Sequence, residues 1–399
     1  MIYFDNAATT FPKPPCVVKA VNEALLRYGA NPGRSGHDLS LQTAQKVFEC
    51  RERVGKLFHC QPEQVIFTKN CTESINAAIK GIVRPGDHVI ISDLEHNAVY
   101  RVVESLRRQG IIQYDVAPVF ADDQKTLWHF EHLLRSNTRL IACTHGSNVF
   151  GFCVPIEQIG LMARRRGIFM LVDAAQTAGL LDYDLRRMPI DYLCMPGHKG
   201  LYGPAGTGIL IVNTEHLPNP LCEGGTGSLS MEPTMPDFLP DRLESGTVNT
   251  SGIIGLSAGV GFVLQNTPKK LYLHEMQLCD YLYQKLCGIR GVTLYSDRPC
   301  IGRNLPLIAL NLKNINPETA AEALNRHHIA VRAGFHCAAL AHQKMGTDRY
   351  GTIRVSLGAF NHKNEADAFC IAVKHILAGR EWFKKILTLR LIMTINMLQ

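Results

Sequence analysis

Lys199 stands in a glycine-rich turn, Met195-Pro196-Gly197-His198-Lys199-Gly200-Leu201-Tyr202-Gly203-Pro204, which follows the apolar run Tyr192-Leu193-Cys194 and precedes Ile209-Leu210-Ile211-Val212. Glycines let a backbone bend tightly and approach a ligand closely. An amine held in such a turn and partly removed from water loses its proton more easily and can form a Schiff base with a carbonyl. Alone, the same lysine reads equally as a solvated residue or a phosphate contact, although the GxxxxGK[ST] pattern fails because Gly200 follows it. Upstream, Gly167-Ile168-Phe169-Met170-Leu171-Val172-Asp173 reads as a buried strand ending in an acid, where α/β sheets place ligand-binding groups. Asp173 by itself could simply cap the next helix. Together, an aldehyde-trapping amine and a strand-end carboxylate suggest pyridoxal phosphate, whose ring nitrogen needs an acid to stay protonated.

Further motifs, from Phe4-Asp5-Asn6-Ala7-Ala8-Thr9-Thr10 to Arg354-Val355-Ser356-Leu357, cover nearly the whole chain. In them the chain resembles the cysteine desulfurases of the class V aminotransferase family. Arg332-Ala333-Gly334-Phe335-His336-Cys337-Ala338 is similar to the catalytic-cysteine motif of the SufS-like, group II branch. The resemblance implies an α/β architecture of the aspartate-aminotransferase-like type (pyridoxal-phosphate fold type I). It implies a large domain over 15–262 on a mostly parallel seven-stranded sheet, and a small α+β domain of 1–14 with 263–380. The tail, 381–399, lies beyond the family's usual end and reads as an amphipathic extension or an unstructured end.

The elements that must position these groups follow in order. Asp5 to Pro15 is a loop, and the resemblance gives Asn6 and Ala8 to the substrate pocket. Cys16 to Tyr28 reads as an amphipathic helix. The turn-rich stretch Gly29 to His37 offers Arg34 and His37 as residues that could face the site. Strand Gln64–Thr68 runs into Thr72 at a helix start, where free amides and the helix dipole favour an anion; the resemblance makes that anion the cofactor phosphate. The other reading is Thr72 as a plain N-cap. His96 follows strand His88–Ser92 and resembles the imidazole that stacks on the cofactor ring. Asn148 and Gln176 resemble the residues near the ring oxygen, Asn148 also being close to the substrate carboxylate. His198 resembles a phosphate contact. The family's serine two residues before that histidine is here Pro196, which has neither hydroxyl nor N–H. Arg242 to Thr250 resembles a loop whose threonine, here Thr247, reaches the phosphate of a neighbouring subunit, which implies a homodimer. A helix-rich stretch from Ser251 to Cys287 leads to strands Val292–Tyr295 and Leu307–Leu312 and a helix at Pro317 to His327.

Cys337 has Arg332 and His336 as flanking cations that would favour a thiolate, with Gly334 marking an exposed loop. Arg354 is an isolated cation in an apolar strand. Buried, it needs a partner, either a substrate carboxylate held in a bidentate bond or an internal Asp or Glu. The activity implied is conversion of L-cysteine to L-alanine. Sulfur passes to Cys337 as a persulfide for delivery to a protein acceptor, as in iron–sulfur cluster synthesis. Selenocysteine lyase, acting on L-selenocysteine, shares almost every residue named. An aminotransferase would leave Cys337 without a task, and a non-catalytic sulfur-transfer scaffold would not need Lys199.

Composition sets the outer limits. The 399 residues are 46% hydrophobic and 19% charged, as in a globular protein with ample core. The net charge of +7 is spread over the chain, and its densest basic cluster, Arg164-Arg165-Arg166, reads as a solvated helix face, so nucleic-acid binding is not supported. The 13 cysteines form no CxxC and no zinc spacing, so no metal is expected. With neither a secretory signal nor a membrane-length apolar run, the expectation is a cytoplasmic enzyme with reduced thiols.

Overall fold

The computed structural model describes residues 1–33 and 36–396, with side chains through residue 379; Arg34 lies outside the described residues. Strand β1 (Ile2–Tyr3) leads through a loop to helices α1 (Pro15–Arg27) and α2 (Asp38–Phe58). Strands β2 (Val65–Thr68), β3 (Asp87–Ser92), β4 (Ile112–Ala117), β5 (Thr138–Thr144) and β6 (Phe169–Asp173) then alternate with α3 (Cys71–Ile82), α4 (Asn97–Arg108), α5 (Asp123–His132) and α6 (Ile156–Arg165). With β7 (Tyr192–Pro196) and β8 (Gly208–Val212) they form a seven-stranded sheet in the order β2-β8-β7-β6-β5-β3-β4. Pairing is parallel from β7 to β4, and β8 runs antiparallel to both its neighbours.

Apolar runs on these strands are long because both faces of a helix-covered sheet are buried. Ile75 and Ile79 of α3 and Val99 and Val103 of α4 close one face over Val89, Ile91 and Leu210. Val54 and Phe58 of α2 and Ile159 of α6 close the other over Ile90, Ile141 and Leu193.

Helices α7 (Thr250–Asn266) and α8 (Pro268–Cys287) lead to a second layer. It contains β9 (Val292–Leu294), β10 (Leu307–Leu312), α9 (Pro317–Arg326), β11 (Ile329–Ala330), β12 (Arg332–Gly334), α10 (Ala339–Lys344), β13 (Thr352–Ser356) and α11 (Lys363–Asn396). An antiparallel four-stranded sheet runs β12-β13-β10-β9. The first residues of the chain join this layer: Ile2 and Tyr3 pair with Ile329 and Ala330, and Phe4 is buried with Leu282, Ile353 and Phe369. The tail is helical as far as Asn396, as a continuation of α11.

The loop carrying Thr247 is anchored by a buried ion pair. Arg51 of α2 meets Glu244 in a fork, with NH1–Oε1 at 2.9 Å and NH2–Oε2 at 2.6 Å. Leaving one member of such a pair alone in the interior costs about 3–5 kcal/mol. Among the described residues no helix is long and apolar enough to cross a membrane.

Candidate active site

The C-terminal ends of the parallel strands open onto one cleft of about 220 Å³, the position where open α/β sheets gather ligand groups. Lys199 enters it just after β7. Its turn is pressed against the segment after β6: a Cβ on Gly200 would sit 2.3 Å from Ala178 O, so only glycine fits. Burial, then the nearby Arg354 charge, pushes the Lys199 ammonium down to about 8. A lowered pKa leaves the amine about one part in ten neutral at pH 7, against about one in 2,500 for an ordinary lysine. Reductive alkylation of Lys199 in the cofactor-free protein is therefore expected to rise with pH through a midpoint near 8. A midpoint in the ordinary lysine range would contradict this placement.

Asp173 ends β6 and is 3% exposed. Its Oδ1 accepts from Ala175 N at 2.9 Å and from Cys71 Sγ at 3.5 Å. Asp173 also lines the cleft. The strand-end acid thus caps its own turn and still faces the cleft.

His96 caps α4, its Nδ1 accepting from Ala98 N at 3.0 Å, which leaves the proton on Nε2. Burial lowers its pKa. At α3 the cap is Asn70, whose Oδ1 accepts from Glu73 N at 2.9 Å. Thr72 is therefore not the N-cap; it sits in the first helical turn, exposed, on the cleft wall. His198 also lines the cleft. Burial, then the charges of Lys199 and Lys13, pushes its imidazole down to about 4, and its Nδ1 is buried without a partner. Gln176 donates Nε2 to Ala7 O at 3.0 Å, beside Ala8 on the same wall.

On the facing wall Arg354 is 2% exposed. Its NH2 meets Asp5 Oδ1 at 2.7 Å and its NH1 donates to Asn148 O at 2.9 Å. The internal carboxylate and the open cleft both hold: Nε has no partner, and the side chain lines the cleft. Asn148 Nδ2 donates to His336 O at 2.8 Å, and Asn97 N donates to Cys337 O at 2.7 Å. These bonds hold the thiol turn in place although His336 (φ 49°) and Cys337 (φ 56°) are both left-handed, at a cost of about 1–3 kcal/mol each. Cys337 is exposed at the cleft mouth.

His336 is not the flanking cation that its sequence position suggests. It is 5% exposed, and burial, then the Arg354 charge, pushes it down to about 3, so it is neutral at pH 7. The cation beside Cys337 on the cleft is Arg332, opposite Arg354 across β12 and β13.

Some expected residues lie elsewhere. The Asn6 amide is turned to Ser356 O and Asn361 Oδ1, both at 3.2 Å, and lines an adjoining void of about 30 Å³ instead of the main cleft. Thr247, expected at a neighbouring copy's site and not at its own, is exposed outside this chain's cleft, its hydroxyl 3.4 Å from Asn31 Nδ2. His37 caps α2, accepting from Ser40 N at 3.3 Å. Sequence reasoning missed Asn70, Cys71, Thr144 and Asp5; of these, Asn70 was readable, because Asn-x-x-Glu before an apolar run marks a helix start.

The pattern of the aminotransferase class-V family matches residues 2–369. The chain belongs to this family. Among curated relatives, a "Probable cysteine desulfurase" of Methanothermobacter thermautotrophicus is 33% identical over 91% of this chain and 92% of its own length. One of the same name from Pyrococcus abyssi is 30% identical over 92% of each. Among solved structures, the apo cysteine desulfurase of Thermococcus onnurineus NA1 superposes with a TM-score of 0.86 at 29% identity, covering 95% of both chains. The Escherichia coli cysteine desulfurase CsdA in its S-sulfonic acid form gives 0.82 at 27% identity over 94% of both chains.

Proposed function

We propose that this class-V protein is a pyridoxal-phosphate-dependent cysteine desulfurase, turning L-cysteine into L-alanine and taking up its sulfur as a persulfide on Cys337. The observation that carries this is one cleft lined by an amine with a depressed pKa, a strand-end acid, a buried arginine and an exposed thiol: Lys199, Asp173, Arg354 and Cys337. The cleft fits the cofactor. His198 Nδ1 and Arg354 Nε are buried there without partners, and the first turn of α3 brings Thr72 to it.

When bound, pyridoxal phosphate supplies a conjugated electron sink next to the substrate α-carbon. Lys199 would hold the cofactor aldehyde covalently and, once released, its amine would carry the α-proton. Asp173 would keep the ring nitrogen protonated, and His96 would stack on the ring. Asn148 and Gln176 would donate to the ring oxygen, and Thr72 and His198 to the phosphate. Arg354, with Arg332 across the strand pair, would bind the substrate carboxylate in fork geometry, while Ala8 forms part of the wall. The Cys337 thiolate attacks the substrate sulfur. An S–S bond would form as the C–S bond breaks, and the electron pair of that bond would stay on the substrate β-carbon, which takes up a proton on the way to alanine. Incubation with L-cysteine followed by mass analysis of the peptide holding Cys337 tests this: a gain of one sulfur atom is expected, and its absence under turnover rejects the assignment.

The same reading extends to a homodimer in the cytoplasm, with Thr247 of one copy reaching the phosphate in the other and a protein acceptor removing the sulfur for iron–sulfur cluster or related synthesis. Support for the dimer is exposed apolar surface on α1 and α2, with Leu25 68%, Leu26 84%, Leu39 57% and Leu41 62% exposed, a density that marks interaction sites. Sedimentation of wild type at twice the chain mass, and of Leu26→Glu at one chain mass, is the expected outcome; a monomeric wild type would refute it. For domain organisation we propose the division read above, 15–262 against 1–14 with 263–380, since the seven-stranded sheet ends before residue 262, the four-stranded sheet begins after it, and β1 pairs with β11 of the later part.

A further inference from the structure

One carbonyl oxygen collects an unusual set of donors. His198 O, on the peptide bond leading into Lys199, is reached by Thr10 N at 3.2 Å, Thr9 Oγ1 at 3.1 Å, Thr10 Oγ1 at 3.2 Å and Lys13 Nζ at 2.7 Å. Lys13 Nζ also donates to Thr10 Oγ1 at 2.8 Å, whose hydroxyl lies 3.1 Å from Lys199 O. Among the described residues Lys13 has no carboxylate partner, and burial pushes its ammonium down to about 8. A half-buried ammonium satisfied only by neutral oxygens costs free energy.

The same segment is fastened at its other end to the opposite wall. β1 pairs with β11, which runs on into the strand before Cys337, and Asp5 Oδ1 meets Arg354 NH2 at 2.7 Å. Midway, Ala7 O accepts from Gln176 Nε2 at 3.0 Å. One stretch of chain therefore touches both the wall that carries the amine and the wall that carries the arginine and the thiol.

We propose that residues 2–13 form a strap setting the Lys199 amine at its distance from the Arg354 and Cys337 wall, with Lys13 as the positioning residue that anchors the strap to the Lys199 peptide. This rests on the reading of Lys199 as the cofactor-holding amine. A neutral side chain of similar length removes the anchor; an arginine keeps charge and reach. In the cofactor-free protein, Lys13→Met is expected to speed amide exchange of segment 195–203 and to weaken pyridoxal phosphate binding, each by about tenfold, or about 1.4 kcal/mol. Lys13→Arg is expected to restore most of both.

Wild-type exchange and affinity in Lys13→Met would overturn the proposal, as would equal impairment in the Met and Arg variants, which would mean lost packing alone. Should Lys13→Met not fold, Thr9→Val removes one donor and keeps the ammonium; a smaller change in the same direction is expected, and no change overturns the strap. Failure of the underlying reading would look different, because wild type itself would then not take up the cofactor.

Discussion

Cys337→Ala protein is expected to stay yellow with bound cofactor while alanine and sulfide production from L-cysteine fall by about a thousandfold or more, the scale on which enzymes lose rate when a nucleophile is deleted. The reason is positional. The amine, acid and cation that would bind cofactor and substrate lie on residues that do not depend on the thiol: Lys199 after β7, Asp173 at the end of β6 and Arg354 on β13. The backbone of the thiol turn is held through the carbonyls of His336 and Cys337, not through the sulfur. Removing Sγ should therefore leave the left-handed turn and the cleft intact and delete only the group proposed to attack the substrate sulfur. Absorbance of the bound cofactor and alanine release are the measurements. Turnover within a few-fold of wild type would show that another group accepts the sulfur.

The second large effect belongs to Lys199. Lys199→Ala is expected to yield colourless protein after desalting, and to lose activity by at least about a thousandfold even with added cofactor, since the proposed covalent hold and proton carrier both go. The cleft loses its depressed-pKa amine but keeps Asp173, His198 and the α3 terminus, so weak, dialysable cofactor binding should persist. This separates the two variants: one coloured and inert, the other colourless and inert. A Lys199→Ala protein that kept its colour through dialysis would place the covalent link on another amine.

Much of the sheet was legible because burial on both faces writes itself as apolar runs, as in Val89-Ile90-Ile91 and Ile209-Leu210-Ile211, and because an acid or a lysine at the end of such a run is conspicuous. Interactions made by distant segments were not. Arg354 was readable as a cation in need of a partner, but that Asp5 would supply one oxygen and Asn148 O another depends on three distant segments meeting. The protonation of His336 failed for a similar reason: sequence shows a basic residue beside a cysteine, whereas enclosure of the ring, which decides its charge, is a tertiary property. At α3 only the alternative reading of Thr72, as the N-cap, fails, since Asn70 two residues earlier takes that place. Lys13 was not singled out, because its distant partner is a backbone oxygen, His198 O, far along the chain, and its local one is a hydroxyl, Thr10 Oγ1.

Pairing of the opening residues with Ile329 and Ala330 has a consequence for biosynthesis. A polypeptide emerging from the ribosome exposes its leading end long before the complementary strand exists, and contacts of such long sequence separation form late and slowly. The large sheet, complete by Val212, can assemble earlier, but the pocket stays open on one side until synthesis has passed Ser356. Capture of the vitamin-derived group should then wait until β13 has been made and has joined β12.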